Sequence, residues 1–446
     1  SAATFLTSVS SYEGGCGFED YFLMMKYINI FIILSCVFCG AMFISSCDNS
    51  DKEEVRYMLP PAATVQMTAE QKAMVLESND FSFNLFREVY RQRQAEGKGQ
   101  KSMFFSPMGV TFMMGMLAEG AEGETQREIL KTMCLDDATA REISRMCEVL
   151  IDDAPEADRL VTLEIANAIY TNKGFEPKKE YKECMEEYYD ADVRSLDFSK
   201  AESLNAINNW AKDGTNGKIQ KVIDRLSSDA VAYILSTIYF EAKWTNQFDS
   251  KNTKSEAFYT ETGQTKEIPM MSNTALVVCG SDVHYDMLRL PYGSGTVWNM
   301  YVLMPKEGKT VNDVIASLDG PAWKETVLFG ETKEVKIKLP RFTTTDCTDL
   351  IAPLQALGTK KLFAWDEAEL SKICSTNMFI SEAYQNASIE VNEEGAKMSA
   401  VTVSQGDLGD MGGYSKDEFY ANRPFVYIVA ENNTQAIFFA GVYNGD

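Results

Sequence analysis

Met378 to Val391 (MFISEAYQNASIEV) runs into Asn392-Glu393-Glu394-Gly395, then into Ala396-Lys397-Met398-Ser399-Ala400-Val401-Thr402-Val403-Ser404, and ends on Gln405 to Tyr414 with glycines at 406, 409, 412 and 413. The first part has the composition of a long strand. The second is made of small, β-capable residues, and the third is a glycine-rich tip. A stretch able to be a strand, followed by a glycine-rich tip, suggests a loop that is exposed or inserted depending on state. A plain functional surface loop of this length is the alternative. The first reading requires the rest of the chain to supply a sheet.

The second half does so. Met287 to Leu290, Val297 to Met304, Val335 to Leu339, Phe425 to Glu431 and Ala436 to Tyr443 all carry β signals. Helices are predicted there only around Val311 to Leu318, Ala322 to Leu328 and Thr348 to Leu357. The first half is richer in helices. Residues 72 to 95 carry an apolar stripe, and Ser106-Pro107 provides an N-cap and a first-turn proline for an apolar helix ending near Gly120. Glu124 to Met133, Arg141 to Ile151, Lys178 to Tyr189 and Glu202 to Lys212 follow, the last closed by Asn216-Gly217. Between them lie strands at Val161 to Tyr170 and Val193 to Phe198. Val231 to Trp244 is β-branched and aromatic, as a long buried strand should be. Helices first and antiparallel strands later predict an α+β architecture.

Composition narrows the function. With 65 acidic and 42 basic side chains among 446 residues, the net charge is −23, which argues against nucleic acid as a partner. A 45% hydrophobic fraction permits a large core, and no repeat or linker divides the interior. The single histidine, His284, excludes two-histidine metal sites and leaves one possible centre for a Ser-His-Asp triad. Gly293-Ser294-Gly295 is too short for a nucleophile elbow. No cofactor, metal site or catalytic residue is predicted.

The amino-terminal part reads as targeting sequence. Met24-Met25-Lys26 precedes Tyr27 to Cys47, 21 residues without a charge, a positive region followed by an apolar one. Ile44-Ser45-Ser46-Cys47 resembles a bacterial lipobox, which makes residues 24–47 a lipoprotein signal peptide and Cys47 the lipidated residue. A membrane-spanning helix is the alternative. Residues 1–23 contain no methionine and read as an extension ahead of the natural start, and 48–69, with Asp51-Lys52-Glu53-Glu54, read as a charged tether. Its Lys-Glu-Glu resembles a surface-export signal. These features predict an exported chain, lipid-anchored at an outer membrane and surface-exposed. Of the ten cysteines, Cys134, Cys147, Cys184, Cys279, Cys347 and Cys374 lack metal-ligand spacing and are expected to be buried thiols.

Residues 70 to 446 resemble a serpin throughout. The resemblance is carried by Phe104-Phe105-Ser106-Pro107, Leu117-Ala118-Glu119-Gly120-Ala121 with Thr125, Ile165-Ala166-Asn167-Ala168-Ile169-Tyr170, Thr215-Asn216-Gly217-Lys218-Ile219 and Ile238-Tyr239-Phe240-Glu241-Ala242-Lys243-Trp244. It continues through Ile380-Ser381-Glu382, Ile389 to Gly395 and Arg423-Pro424-Phe425. It implies one serpin domain with sheets A, B and C and an exposed reactive loop. It also implies a monomeric inhibitor of serine proteases, or across class of cysteine proteases, that acts as a suicide substrate. The protease acylates the loop, which then inserts into sheet A and carries the trapped enzyme with it. About fifteen residues at roughly 3.3 Å each give on the order of 50 Å of travel.

The family pattern also assigns residues. Glu393, Glu394, Gly395, Ala396, Lys397, Met398, Ser399, Ala400, Val401 and Thr402 would form the hinge, with Ala396, Met398, Ala400, Thr402 and Ser404 facing inward. Met398 replaces a usual alanine, and overfilling a core site costs about 1–3 kcal/mol. Trp244 would stand where the loop enters. Beneath the sheet Ser106 matches the family, while Gln385, Ser236 and Gly109 replace its histidine, asparagine and second serine; glutamine and serine are able to form a satisfied network, and the departure bears on how easily the sheet opens. The seventeenth residue from Glu393 is Gly409, so Leu408, Gly409 and Asp410 are reactive-bond candidates, with Met411 or Tyr414 for a longer loop. Leu408 or Gly409 points to elastase-, chymotrypsin- or subtilisin-like targets. A binding or carrier protein of the same fold is the alternative function.

Overall fold

The computed structural model describes residues 62–328, 330–395 and 417–446. The lipidation candidate Cys47, the hinge from Ala396 to Thr402, and the reactive-bond candidates Leu408, Gly409, Asp410 and Met411 lie outside the described residues.

The chain runs α1 (Ala69–Ala95), β1 (Met103–Phe105), α2 (Pro107–Gly120), α3 (Gly123–Thr132), α4 (Ala140–Glu156), β2 (Val161–Asn172), α5 (Lys179–Tyr189), β3 (Ala191–Leu196), α6 (Ala201–Gly214) and β4 (Ala232–Ala242). It continues with β5 (Lys254–Tyr259), β6 (Thr265–Ser281), β7 (Tyr285–Pro291), β8 (Trp298–Pro305), α7 (Val311–Ser317), α8 (Gly320–Leu328), β9 (Glu331–Pro340), β10 (Phe342–Asp349) and α9 (Ile351–Leu357). Last come β11 (Glu382–Val391), β12 (Asp417–Tyr420), β13 (Phe425–Glu431) and β14 (Ile437–Tyr443).

Local chemistry explains the helix ends. Thr68 and Thr139 form capping boxes with Gln71 and Glu142 at the starts of α1 and α4. Ser106 caps α2, accepting from Gly109 N at 3.0 Å. After α6, Asn216 (φ 47°) and Gly217 (φ 77°) turn through left-handed backbone, and Gly217 N returns to Lys212 O at 2.7 Å. Nearly every side chain of α2 is buried, as expected of a helix apolar all round. It lies against β4 of one sheet and β14 of the other.

The α+β class holds. One sheet has five strands in the order β10-β11-β4-β2-β3. The other follows β1-β14-β13-β8-β7-β6-β9-β12, with β5 added on β6. The resemblance implies three sheets; here β6 runs 17 residues, pairing with β5 and then with β7 and β9, so two of the three share one ladder. Three pairs are parallel: β11 with β4, β2 with β3 and β12 with β9.

Several boundaries differ from the sequence reading. The strand predicted from Met378 begins at Glu382, because Ile380 N and Ser381 N are taken by Leu362 O and Ala232 O. Thr348 belongs to strand β10 and not to a helix, and β1, β5, β6 and β12 were not predicted as strands. β1 and β12 are only three and four residues long, and β5 and β6 are interspersed with Thr, Ser, Lys and Glu so that their apolar alternation is weak. Part of the predicted tether is folded, since Val65 is buried and its carbonyl accepts from Asn433 Nδ2 at 2.9 Å.

Candidate functional site

The centre of the five-stranded sheet is the seam between β11 and β4, adjacent and parallel. Their ladder runs from Glu382↔Tyr233 to Ser388↔Tyr239 and stops there, although β11 continues to Val391 and β4 to Ala242. The upper ends therefore do not pair with each other. Each is held only on its outer side, β11 by β10 and β4 by β2.

The described start of the hinge, Glu393 to Gly395, sits on this open end. Asn392 and Gly395 form an antiparallel bridge around Glu393-Glu394. Trp244 N donates to Glu394 O at 3.1 Å and Phe248 N to Glu393 O at 2.9 Å, while Trp244 Nε1 donates to Asn392 O at 2.8 Å. Trp244 is itself stacked on Tyr292, centroids 4.3 Å apart. The Glu393 carboxylate, 8% exposed, accepts from Thr253 Oγ1 at 2.7 Å and pairs with Arg341 Nη1 at 3.3 Å. Gly395 has φ 101°, and a Cβ there would fall on Ala242 O, Lys243 Cα and Trp244 N, well inside contact distance. Only glycine permits this approach. The structure brings Trp244, Glu393, Glu394 and Gly395 together at this end of the sheet.

Lower in the seam, register aligns Asn167, Ser236 and Gln385 across β2, β4 and β11. Gln385, 1% exposed, grips Ser106 with both ends of its amide: Oε1 accepts from Ser106 N at 2.7 Å and Nε2 donates to Ser106 O at 2.6 Å. Ser106 Oγ donates to Phe438 O at 2.5 Å, tying the second sheet to the same point. A satisfied network is only partly present. Ser236 Oγ is buried and has no hydrogen-bond partner among the described residues. The departure at Gly109 has a physical reason, because a Cβ there would stand 2.6 Å from Gln385 Nε2 and 3.0 Å from Ser236 Oγ. The glutamine fills the space a second serine would need.

In front of the seam, residues 215–231 are tied to β4. Lys218 Nζ bonds Glu241 at 2.7 Å and lies 5.1 Å from the Tyr239 ring centroid. Burial, then the neighbouring Glu241, pushes the Tyr239 hydroxyl up to about 12, so it stays protonated and donates to Glu241 Oε2 at 2.9 Å.

The remaining candidates are placed elsewhere. His284 occupies the turn between β6 and β7, with its backbone N bonded to Asp282 Oδ1. The six domain cysteines are free. Contrary to expectation only Cys147 and Cys374 are fully buried, and Cys347 is exposed because it faces outward on β10. Partial burial still pushes the Cys184 thiol up to about 11. Among the described residues no group of His, Cys, Asp and Glu could hold a metal, and no helix is long and apolar enough to cross a membrane.

A parting seam capped by a glycine hinge, in this topology, defines a class. The profile of the family described as Serpin (serine protease inhibitor) matches residues 76–445, and the chain belongs to that family. It is 28% identical over 387 residues to human Serpin B3, covering 82% of this chain and 97% of that one. The fold matches the native state of tengpin, a thermophilic serpin, with a TM-score of 0.77 at 23% identity, covering 86% of this chain and 97% of tengpin. It also matches human thyroxine-binding globulin complexed with thyroxine, with a TM-score of 0.75 at 26% identity, covering 84% and 98%.

Proposed function

We propose that the chain is a suicide-substrate inhibitor of serine proteases whose residues 396–416 are the reactive loop. The observation that carries this reading is the seam: two parallel neighbours, unpaired at the end where the chain leaves β11. A strand following Gly395 runs antiparallel to both and completes their backbone hydrogen bonds. In the inserted state proposed here, a hairpin continuing the Asn392↔Gly395 bridge would set Ala396 opposite Val391, Met398 opposite Ile389, Ala400 opposite Ala387 and Thr402 opposite Gln385. All four β11 partners are buried, which supports the inward assignment of the alternate loop residues. Leu408 and Gly409 remain the proposed reactive-bond residues, with elastase-, chymotrypsin- or subtilisin-like proteases as targets. Export and lipid anchoring through Cys47 belong to the same proposal.

The test is incubation with such proteases. A covalent, SDS-resistant complex is expected, and a loop cut by a non-target protease should raise the melting temperature sharply, since insertion pairs new backbone groups and buries alternate side chains. The likeness to thyroxine-binding globulin, together with Met398 at an inward position, favours a carrier as the second reading. Rapid cleavage without any covalent adduct would overturn the inhibitory reading and favour the carrier.

A further inference from the structure

The foot of the seam is fastened by one side chain. Ser381, just ahead of β11, accepts from Val231 N at 2.9 Å and from Ala232 N at 3.2 Å through Oγ, and donates from Oγ to Ala232 O at 3.1 Å. Its own backbone N also donates to Ala232 O at 3.2 Å. Val231 and Ala232 are buried, so these bonds form where water competes little. The seam is unpaired at its top and clasped at its foot.

We infer that Ser381 is a positioning residue that holds β4 and β11 together in the uncleaved chain and must let go in the last step of loop insertion. The inference rests on the inhibitory reading. Its reason is register: the hairpin that sets Thr402 opposite Gln385 sets Gln405 opposite Glu382 and Gly406 opposite Ser381. A loop cut after Leu408 or Gly409 is long enough to reach the clasp. A strand lying between β4 and β11 at that level separates Ser381 from Val231 and Ala232 by the width of two strand spacings, about 9–10 Å. The three hydroxyl bonds therefore belong to the uncleaved form alone.

The experiment compares melting temperatures of the full chain before and after a cut at residue 408 or 409, verified by the mass of the released peptide, for the parent, Ser381→Ala and Ser381→Thr. Ser381→Ala should lower the uncleaved form by a few degrees and leave the cleaved form unchanged. Ser381→Thr, which keeps the hydroxyl, should restore the uncleaved value. A variant that lowers both forms equally shows that Ser381 only stabilises the fold, and overturns the inference while the inhibitory reading stands. A parent that gains nothing on cleavage overturns both. If Ser381→Ala does not fold, hydrogen exchange in the parent decides: the Val231 amide should exchange at least roughly tenfold faster after cleavage, and unchanged protection overturns the clasp.

Discussion

The top and the middle of the β11–β4 seam are built on opposite terms. At the top the strands do not pair with each other, and the hinge lies over them through three backbone carbonyls, an ion pair and a glycine. In the middle the ladder is continuous, and Gln385 binds Ser106 at both ends of its amide. On the proposed mechanism such a sheet would open from above, because strand separation would begin where no ladder bond has to break and would meet increasing resistance further down. If the loop inserts as proposed, entry would be governed by what the first inserted residue costs to bury, and propagation by how firmly the middle is closed.

The largest effect should come from attacking entry. Ala396→Arg leaves residues 405–414 untouched, so acylation should proceed at the parent rate. Entry then requires burying a guanidinium opposite Val391 with no partner, at a cost of several kcal/mol. Slowing insertion by about 2.7 kcal/mol is already a hundredfold in rate, enough for deacylation to win. The variant should behave as a cleaved substrate, with a steep rise in the stoichiometry of inhibition and fast first cleavage. Trapping at the parent's efficiency would place the hinge register, or the mechanism, in error.

A smaller effect is expected in the middle. Gln385→Ala removes both amide bonds and leaves Ser106 N buried without an acceptor, which should cost about 2 kcal/mol of stability in the uncleaved form. Gly109→Ser alone should also destabilise, because its side chain meets Gln385 Nε2. Combined, the two should cost less than their sum, since the serine occupies the space the glutamine vacates. Denaturant unfolding of the two single variants and the double variant measures this coupling, and strict additivity would refute the shared-space explanation.

The described part of the hinge, Asn392 to Gly395, was assigned from the family resemblance, as was Trp244, which belongs to a recognisable string. The family pattern grouped Gln385 with Gly109, but that the glutamine takes the space a serine at 109 would need was not legible, because it depends on side-chain distances set when α2 packs beneath β11. Ser381 appeared only as one letter of a matching segment, and its role depends on a parallel pairing with residues about 150 positions away. The polar strands β6 and β10 were missed for a related reason. Thr343, Thr345 and Cys347 face outward while Phe342, Thr344 and Thr348 are buried, and inward threonines conceal the alternation that marks a strand.

The smallest effect should fall on Ser236, and it tests whether the row beneath the seam acts as one network. Ser236 lies between Asn167 and Gln385 in register, which would place it at the centre of a hydrogen-bonded row. Its hydroxyl instead has no partner among the described residues, so Gln385 closes the seam through Ser106 and not through β4. A buried hydroxyl without a partner contributes no hydrogen bond and retains its desolvation cost. Ser236→Ala removes one oxygen and leaves the β-carbon in place, so no sizeable cavity forms. The uncleaved form should change by no more than about 0.5 kcal/mol, or gain slightly. Thr402, opposite Gln385 in the inserted register, would meet Ser236 on its other side once the loop lies between β11 and β4. The same substitution should then lower the melting temperature of the cleaved form more than that of the uncleaved one. A loss of 2 kcal/mol or more before cleavage would show that Ser236 already belongs to a closed network in the uncleaved chain.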